Sequence, residues 1–390
     1  MRFAKITSRV AGLGSDKWAV HFEGKQRKAA GEDVIFLSIG EPDLPPAKAI
    51  LEMASTQMMA GRTRYSGGNG EAPLLASLAE FYSKQTGRSI SPEQFLFLPG
   101  TQTALAMAFL AIIEPGDEVI LLDPYYATYE AVVSGPGGVP VRVKLDADRG
   151  FHPDMDAIAK AITPNTRAIL LNSPSNPTGA VFTEAEIRAI SALAVQHDLW
   201  IVSDEVYATL IHGDGKFFSP FFDKSLEERV IVCSSISKSH ALPGFRCGWI
   251  AASKDFCERV LPVSEALLFG SPQFLQDATA FAMSQEFPET RKMRELYVAR
   301  GKALIEGLGG SNHVSARMPE GGMFVMVDVR KTGLSGDDFA FRLLREKQVV
   351  TMPGESFGTA AAGHLRVALT VDEAQMREAA QRIAELAASI

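Results

Sequence analysis

Five purely apolar runs, each closing on a polar turn, constrain the fold of this chain more than any other feature. Phe95-Leu96-Phe97-Leu98 ends at Pro99-Gly100, Val119-Ile120-Leu121-Leu122 at Asp123-Pro124, and Ala168-Ile169-Leu170-Leu171 at Asn172-Ser173-Pro174. Leu199-Trp200-Ile201-Val202 ends at Ser203-Asp204, and Val230-Ile231-Val232-Cys233 at Ser234-Ser235. Helix-like stretches separate them. Continuous apolar strands alternating with helices indicate a mostly parallel sheet buried on both faces, an α/β fold. Ligands of such sheets lie beyond the carboxyl ends of the strands, where every distinctive polar residue of the chain falls. That coincidence points to a single active site.

The flanks read differently. Residues 1–45 give a helical pattern and then the run Val34-Ile35-Phe36-Leu37. Beyond about residue 285 the pattern predicts a helix over 286–308, a strand over 323–329, a helix over 335–347, a strand over 365–369 and a closing helix over 373–390. The expected organisation is a large domain over 46–284 and a smaller α+β domain made of 1–45 and 285–390. A net charge of −7 without a basic block argues against nucleic acid. No apolar run reaches membrane-spanning length, and the N-terminus lacks the apolar core of a signal peptide. The 3 cysteines and 7 histidines show no ligand spacing, so no metal site is expected, and reduced thiols suit a cytoplasmic location.

Lys238 follows the last apolar run. A lysine there loses hydration unless it has a task, and a desolvated amine is the better nucleophile toward an aldehyde. Arg246, beyond the break Pro243-Gly244, has the planar fork that suits a phosphate. A pyridoxal 5′-phosphate (PLP) site is therefore the trial reading, with a solvated loop lysine as its rival. Asp204 at a strand end would keep a pyridine nitrogen protonated, unless it merely caps a helix starting at Glu205. Tyr207, one expected helical turn later, would reach the same ligand. Asn176 is aimed by Pro177, and two asparagines exceed what a turn over Asn172–Gly179 needs. Gly100 opens a helix N-terminus able to take a phosphate, and one of Tyr125, Tyr126 and Tyr129 would stack on a ring. Arg366, inside a strand pattern, needs an anion: a substrate carboxylate or a structural salt bridge. Tyr65 sits in a Gly-rich loop that would reach a neighbouring subunit.

Taken together, Ser235-Ile236-Ser237-Lys238 with Arg246, Asn176-Pro177-Thr178-Gly179, Asp204-Glu205-Val206-Tyr207, Gly40 with Pro42-Asp43, and Arg366 resemble the class I/II aminotransferases of PLP fold type I, over nearly the whole chain. The resemblance implies Lys238 as Schiff-base residue and proton shuttle, Asp204 on the pyridine nitrogen, Asn176 and Tyr207 on the ring oxygen, and Tyr126 stacked on the ring. Gly100, Thr101, Gln102, Ser235, Arg246 and a partner subunit's Tyr65 would hold the phosphate. Gly40, Asn176 and Arg366 would bind the substrate carboxylate. A homodimer sharing its sites and ping-pong exchange between an amino acid and a 2-oxo acid follow from the same likeness. Aspartate-preferring relatives carry a cation either at the place of the neutral Gln102 or within 265–271, which holds no Lys or Arg. The segments 270–278, 321–328 and 237–241 look similar to arginine–pyruvate transaminases, which favours a basic or broad neutral donor with pyruvate. An aspartate-type enzyme using 2-oxoglutarate and a PLP β-lyase are the alternatives. A sensor-regulator would need a DNA-binding domain, and a dinucleotide enzyme a GxGxxG after a strand.

Overall fold

In the computed structural model, which describes residues 1–13 and 15–390, a seven-stranded sheet occupies the centre. Its strands run in the spatial order Phe95–Leu98, Gly248–Ala251, Val230–Ser235, Trp200–Asp204, Thr166–Asn172, Glu118–Asp123 and Val139–Lys144. All neighbours are parallel except at Gly248–Ala251, which is antiparallel to both of its neighbours. The apolar runs are unbroken because each face has its own core. Phe95, Ile120, Ile169, Ile201 and Val232 join one buried cluster, while Leu96, Val119, Leu170, Val202 and Ile231 join another. The helix Thr101–Ile112 belongs to the second cluster and is apolar on most sides, as a helix laid under a sheet must be.

Two of these strands escape the sequence pattern. Val139–Lys144 is an edge strand, half exposed and carrying Pro140, a residue tolerated where a ladder hydrogen bond is dispensable. Gly248–Ala251 opens on a glycine that lets two backbones meet. A Cβ on Gly248 would lie 2.6 Å from the carbonyl carbon of Gly100 and 2.7 Å from the Ser234 oxygen. This close approach sets the turn at Gly100 against the end of the strand that leads to Lys238.

The chain ends build a second layer. A four-stranded antiparallel sheet orders Met352–Pro353, His364–Ala368, Phe324–Asp328 and Ser315–Ala316. Helices Pro288–Gly307, Gly336–Lys347 and Glu373–Ala388 cover it, close to the predicted ranges. Ser335 and Asp372 cap the last two by accepting from Asp338 N and Gln375 N. From the other end of the chain, Ile35–Phe36 pairs in parallel with Val349–Val350, and Val20, Val34 and Leu37 join the same buried cluster. One expected element is absent: 206–209 is a turn, so no helix starts at Glu205 and Asp204 caps none. Among the described residues no helix is long and apolar enough to cross a membrane.

Candidate active site

A cavity of about 470 Å³ opens where the carboxyl ends of the central strands face the second layer. Lys238, Asp204, Tyr207, Gly40, Thr101, Gln102, Tyr126, Asn176, Ser235, Arg246 and Arg366 all line it. Gly100, directly before Thr101, is not among the lining residues, and neither is Tyr65. Tyr65 is 83% exposed, with its ring edge-on to Phe269 at 5.1 Å.

Lys238 does not follow its strand directly. The strand continues to Ser235, whose hydroxyl accepts from Ser237 N and starts the one-turn helix Ile236–Ser239. That turn delivers Nζ to the Gly40 carbonyl at 2.5 Å. Burial pulls the ammonium down to about 8, helped by the Arg366 and Arg246 charges and opposed by Glu41 and Asp204. A substantial neutral fraction therefore exists near pH 8.

Asp204 ends its strand fully enclosed. The Tyr129 hydroxyl donates to its Oδ2 at 2.7 Å and Val206 N to its Oδ1 at 3.2 Å. Burial pushes this carboxyl up to about 6, while those two donors and the Lys238 charge hold it back. The Asn172 amide donates to the Asp204 carbonyl at 3.1 Å and its Oδ1 accepts from Asn176 N at 2.7 Å. The first asparagine thereby positions the second. Although no helix joins Asp204 to Tyr207, the turn brings both side chains to the cavity. The Tyr207 phenol is driven upward by burial and makes no hydrogen bond with any described residue. Glu205 turns away from it and accepts from Ser203 and Ser219 at 3.0 and 2.5 Å.

Arg366 is 1% exposed and has no carboxylate partner among the described residues, so the salt-bridge alternative is not realised. Nη1 donates to Asn176 Oδ1 at 2.9 Å and Nη2 to the Ser38 carbonyl at 2.5 Å, while Nε has no partner. The guanidinium lies between the rings of Phe324 and Phe357, 4.3 and 4.4 Å from their centroids. Burial lowers it to about 10. A buried cation held only by neutral acceptors is prepared for an anion that enters from the cavity. Gly40 permits this arrangement, since a Cβ there would fall 2.2 Å from Phe324 Cζ.

Gly100 has φ +83°, and an added Cβ would meet the Arg246 guanidinium at 2.4 Å. Glycine thus admits the arginine beside the N-terminus of Thr101–Ile112, where free N–H groups attract anions. Arg246 donates to the carbonyls of Pro243 and Pro99, and Thr101 donates to the Ser235 hydroxyl at 2.9 Å. Gln102 accepts from Thr128 at 2.9 Å. A guanidinium without a carboxylate, hydroxyls and free N–H groups form a donor set that fits a phosphate. Asp204 and Tyr126 suit a protonated aromatic ring, so the cavity fits PLP at both ends.

Tyr129 and Asn172 are the supporting residues that the sequence did not single out. The signals lay in the cluster of tyrosines at 125–129 and in the spare asparagine, but neither tells which side chain turns inward. The class I and II aminotransferase family matches residues 32–383. The arginine–pyruvate transaminase AruH of Pseudomonas aeruginosa is 40% identical over 390 residues, covering 100% of this chain and 99% of that protein. The aspartate/prephenate aminotransferase of Thermus thermophilus is 34% identical over 371 residues, 94% of each chain. Among solved structures, Thermus thermophilus aspartate aminotransferase with maleate superposes with a TM-score of 0.91 at 34% identity, covering 99% of this chain and 100% of that one. With this site and this extent of similarity, the chain belongs to the class I and II aminotransferases, PLP-dependent transaminases.

Proposed function

We propose that this aminotransferase moves the α-amino group of a basic or neutral L-amino acid, arginine foremost, to pyruvate by ping-pong exchange. The observation that carries the donor choice is the neutral Gln102 in a cavity whose cations, Lys238, Arg246 and Arg366, already have places in the catalytic scheme. No further cation lines the cavity among the described residues to receive a distal carboxylate. The 40% identity to an arginine–pyruvate transaminase supports the same choice.

Bound PLP supplies an aldehyde for amine exchange and a protonated ring that accepts electrons. Lys238 would hold it covalently through Nζ, and after exchange the freed amine would take the substrate α-proton and deliver it to the former aldehyde carbon, so that hydrolysis releases a 2-oxo acid. Asp204 would pair with the pyridine nitrogen, with Tyr129 and Val206 N–H keeping the carboxylate ionised. Asn176 and Tyr207 would face the ring oxygen and Tyr126 the ring. Gly100, Thr101, Gln102, Ser235, Arg246 and the partner subunit's Tyr65 would hold the phosphate. Arg366, aligned by Asn176 and with Gly40 alongside, orients the substrate carboxylate and so its α-C–H bond.

A homodimer belongs to this reading. The exposed Tyr65, Leu267 and Phe269 support it, as does the absence of Tyr65 from its own cavity. The division into a large unit 46–284 and a small unit 1–45 with 285–390 is part of the same reading, supported by buried clusters that draw mainly on one unit each. A cytoplasmic setting accords with three unpaired, buried cysteines. The test is kcat/KM for arginine, lysine, alanine, aspartate and glutamate with pyruvate and with 2-oxoglutarate. Aspartate with 2-oxoglutarate leading by about tenfold, ~1.4 kcal/mol of barrier, overturns the donor assignment. Pyruvate and ammonia formed without an acceptor indicate a β-lyase instead.

A further inference from the structure

Beside the catalytic cavity lies a second and larger one, of about 670 Å³ against about 470 Å³. That volume is in the range of small-molecule sites. The two cavities share Val206 and Ser235 as wall. The second is also lined by Glu205, next after Asp204, and by Ser239, next after Lys238, yet amino-group transfer gives it no task. We propose that this second cavity binds a small hydrophobic carboxylate, held by Arg294 and the Thr209 hydroxyl, separately from the amino donor and acceptor. This holds whichever donor the enzyme prefers.

The charges on the wall are matched except for one. Lys84 pairs with Glu80 at 2.7 Å and Arg291 faces Glu286 at 3.7 Å, both pairs exposed. Glu205 is buried, accepts from Ser203 and Ser219, and is raised to about 7 by enclosure, so its charge is disfavoured. Burial lowers His240 to about 4, and its ring nitrogens are taken by the Ser239 hydroxyl at 2.8 Å and the Ala282 carbonyl at 3.1 Å. Arg294 remains. It is half-buried and forms no ion pair with any described residue; its one hydrogen bond, Nη1 donating to the Thr209 carbonyl at 3.5 Å, is at the limit of such a contact. The Thr209 hydroxyl is enclosed and has no partner among the described residues. A free guanidinium and an unused hydroxyl suit a monoanion of carboxylate size, whereas a phosphate asks for more donors. The rest of the wall asks for an apolar body. Phe81, Phe217 and Phe222 line the cavity with rings only half-buried, and covering them removes apolar surface from water.

Calorimetric titration of the PLP-loaded enzyme with 4-phenylbutyrate, indole-3-propionate and octanoate tests this. A carboxylate also has Arg366 to meet in the catalytic cavity, so the decisive host is the Arg366→Gln holoenzyme. At least one of the three acids should saturate it with a Kd of about 1 mM or tighter. Adding Arg294→Gln to that host should weaken binding by about tenfold, the contribution of hydrogen bonds to a charged group, and Thr209→Val by a few fold. The amide of the tightest-binding acid keeps its shape without the charge, and should bind equally with and without Arg294. Arg294→Gln alone should keep kcat/KM for amino-group transfer within about twofold, which shows that the variant folds. Binding that vanishes in Arg366→Gln and is untouched by Arg294→Gln belongs to the catalytic cavity and overturns the proposal. So does an absence of binding by all three acids up to about 10 mM, or an affinity that neither Arg294→Gln nor Thr209→Val alters.

Discussion

The residues of the cavity act through electrostatic balances that single substitutions can upset. Asp204→Asn keeps the shape of the side chain and removes its charge, so the apoenzyme should still take up PLP. Its kcat should fall by a factor on the order of 10²–10³, as for other preorganised contacts to a developing charge. Near-normal turnover would show the carboxylate to be structural. Tyr129→Phe tests its support. The phenol lowers the Asp204 value in the empty cavity, so its loss should raise that value above about 6, read as an upward shift of the Asp204 carboxyl titration in the apoenzyme by NMR. An unmoved titration would count against the 2.7 Å hydrogen bond as a tuning contact. For Lys238, only the neutral amine attacks an aldehyde. Covalent uptake of PLP by the apoenzyme should therefore quicken as pH rises through about 8, followed by absorbance after borohydride reduction and peptide mapping. An adduct on another lysine would displace Lys238 from its role.

At the scale of elements, the strand ends and the turns that follow them carry both the fold and the site. The turn after Trp200–Asp204 is held by Glu205, buried and raised to about 7 because enclosure disfavours its charge. A carboxyl raised in this way lends stability while protonated. That contribution is complete below its ordinary value of 4.5 and is lost as pH rises through about 7. Glu205→Gln should therefore lessen the fall in apoenzyme Tm across that window. Asp204 has the same sign and remains, so the fall shrinks without vanishing. An identical pH dependence in the variant would contradict the argument. The five apolar runs and their polar ends were legible because burial on both faces leaves no alternation to confuse them. Val139–Lys144 and Gly248–Ala251 were not legible. One is an edge strand with a proline, and the other begins with a glycine whose purpose, contact with the backbone of Gly100, lies far away in sequence. The expected helix at Glu205 failed because its carboxyl accepts from the nearby Ser203 and from Ser219 in a later loop, contacts that hold the segment as a turn against local propensity. Lys238, Asp204 and Arg366 were readable as charges in apolar surroundings. Tyr129 resembled any core tyrosine, and its hydroxyl alone sets it apart.

At the scale of the whole molecule, the placement of Tyr65 separates a self-contained subunit from one completed by its neighbour. Tyr65 is exposed and away from its own cavity, whereas Lys238 lies inside it. If Tyr65 serves the neighbouring cavity, Lys238→Ala and Tyr65→Ala subunits should complement each other. A mixed dimer would contain one cavity with both residues intact. Co-refolding the two weakly active variants should then restore turnover well above either parent, approaching half of the unaltered rate per mixed dimer. Activity that merely averages the parents would assign Tyr65 elsewhere. Another consequence follows from the bond between Arg366 and Asn176, together with that between Lys238 and Gly40. Ribosomes deliver Gly40 early, Asn176 and Lys238 midway, and Arg366 only shortly before the closing helix. Competence therefore arrives late in synthesis. If Arg366 has the role proposed for it, a nascent chain that already holds Lys238 and Asp204 would still lack the guanidinium that grips a substrate carboxylate, and an unfinished copy would not begin the reaction it is being built to perform.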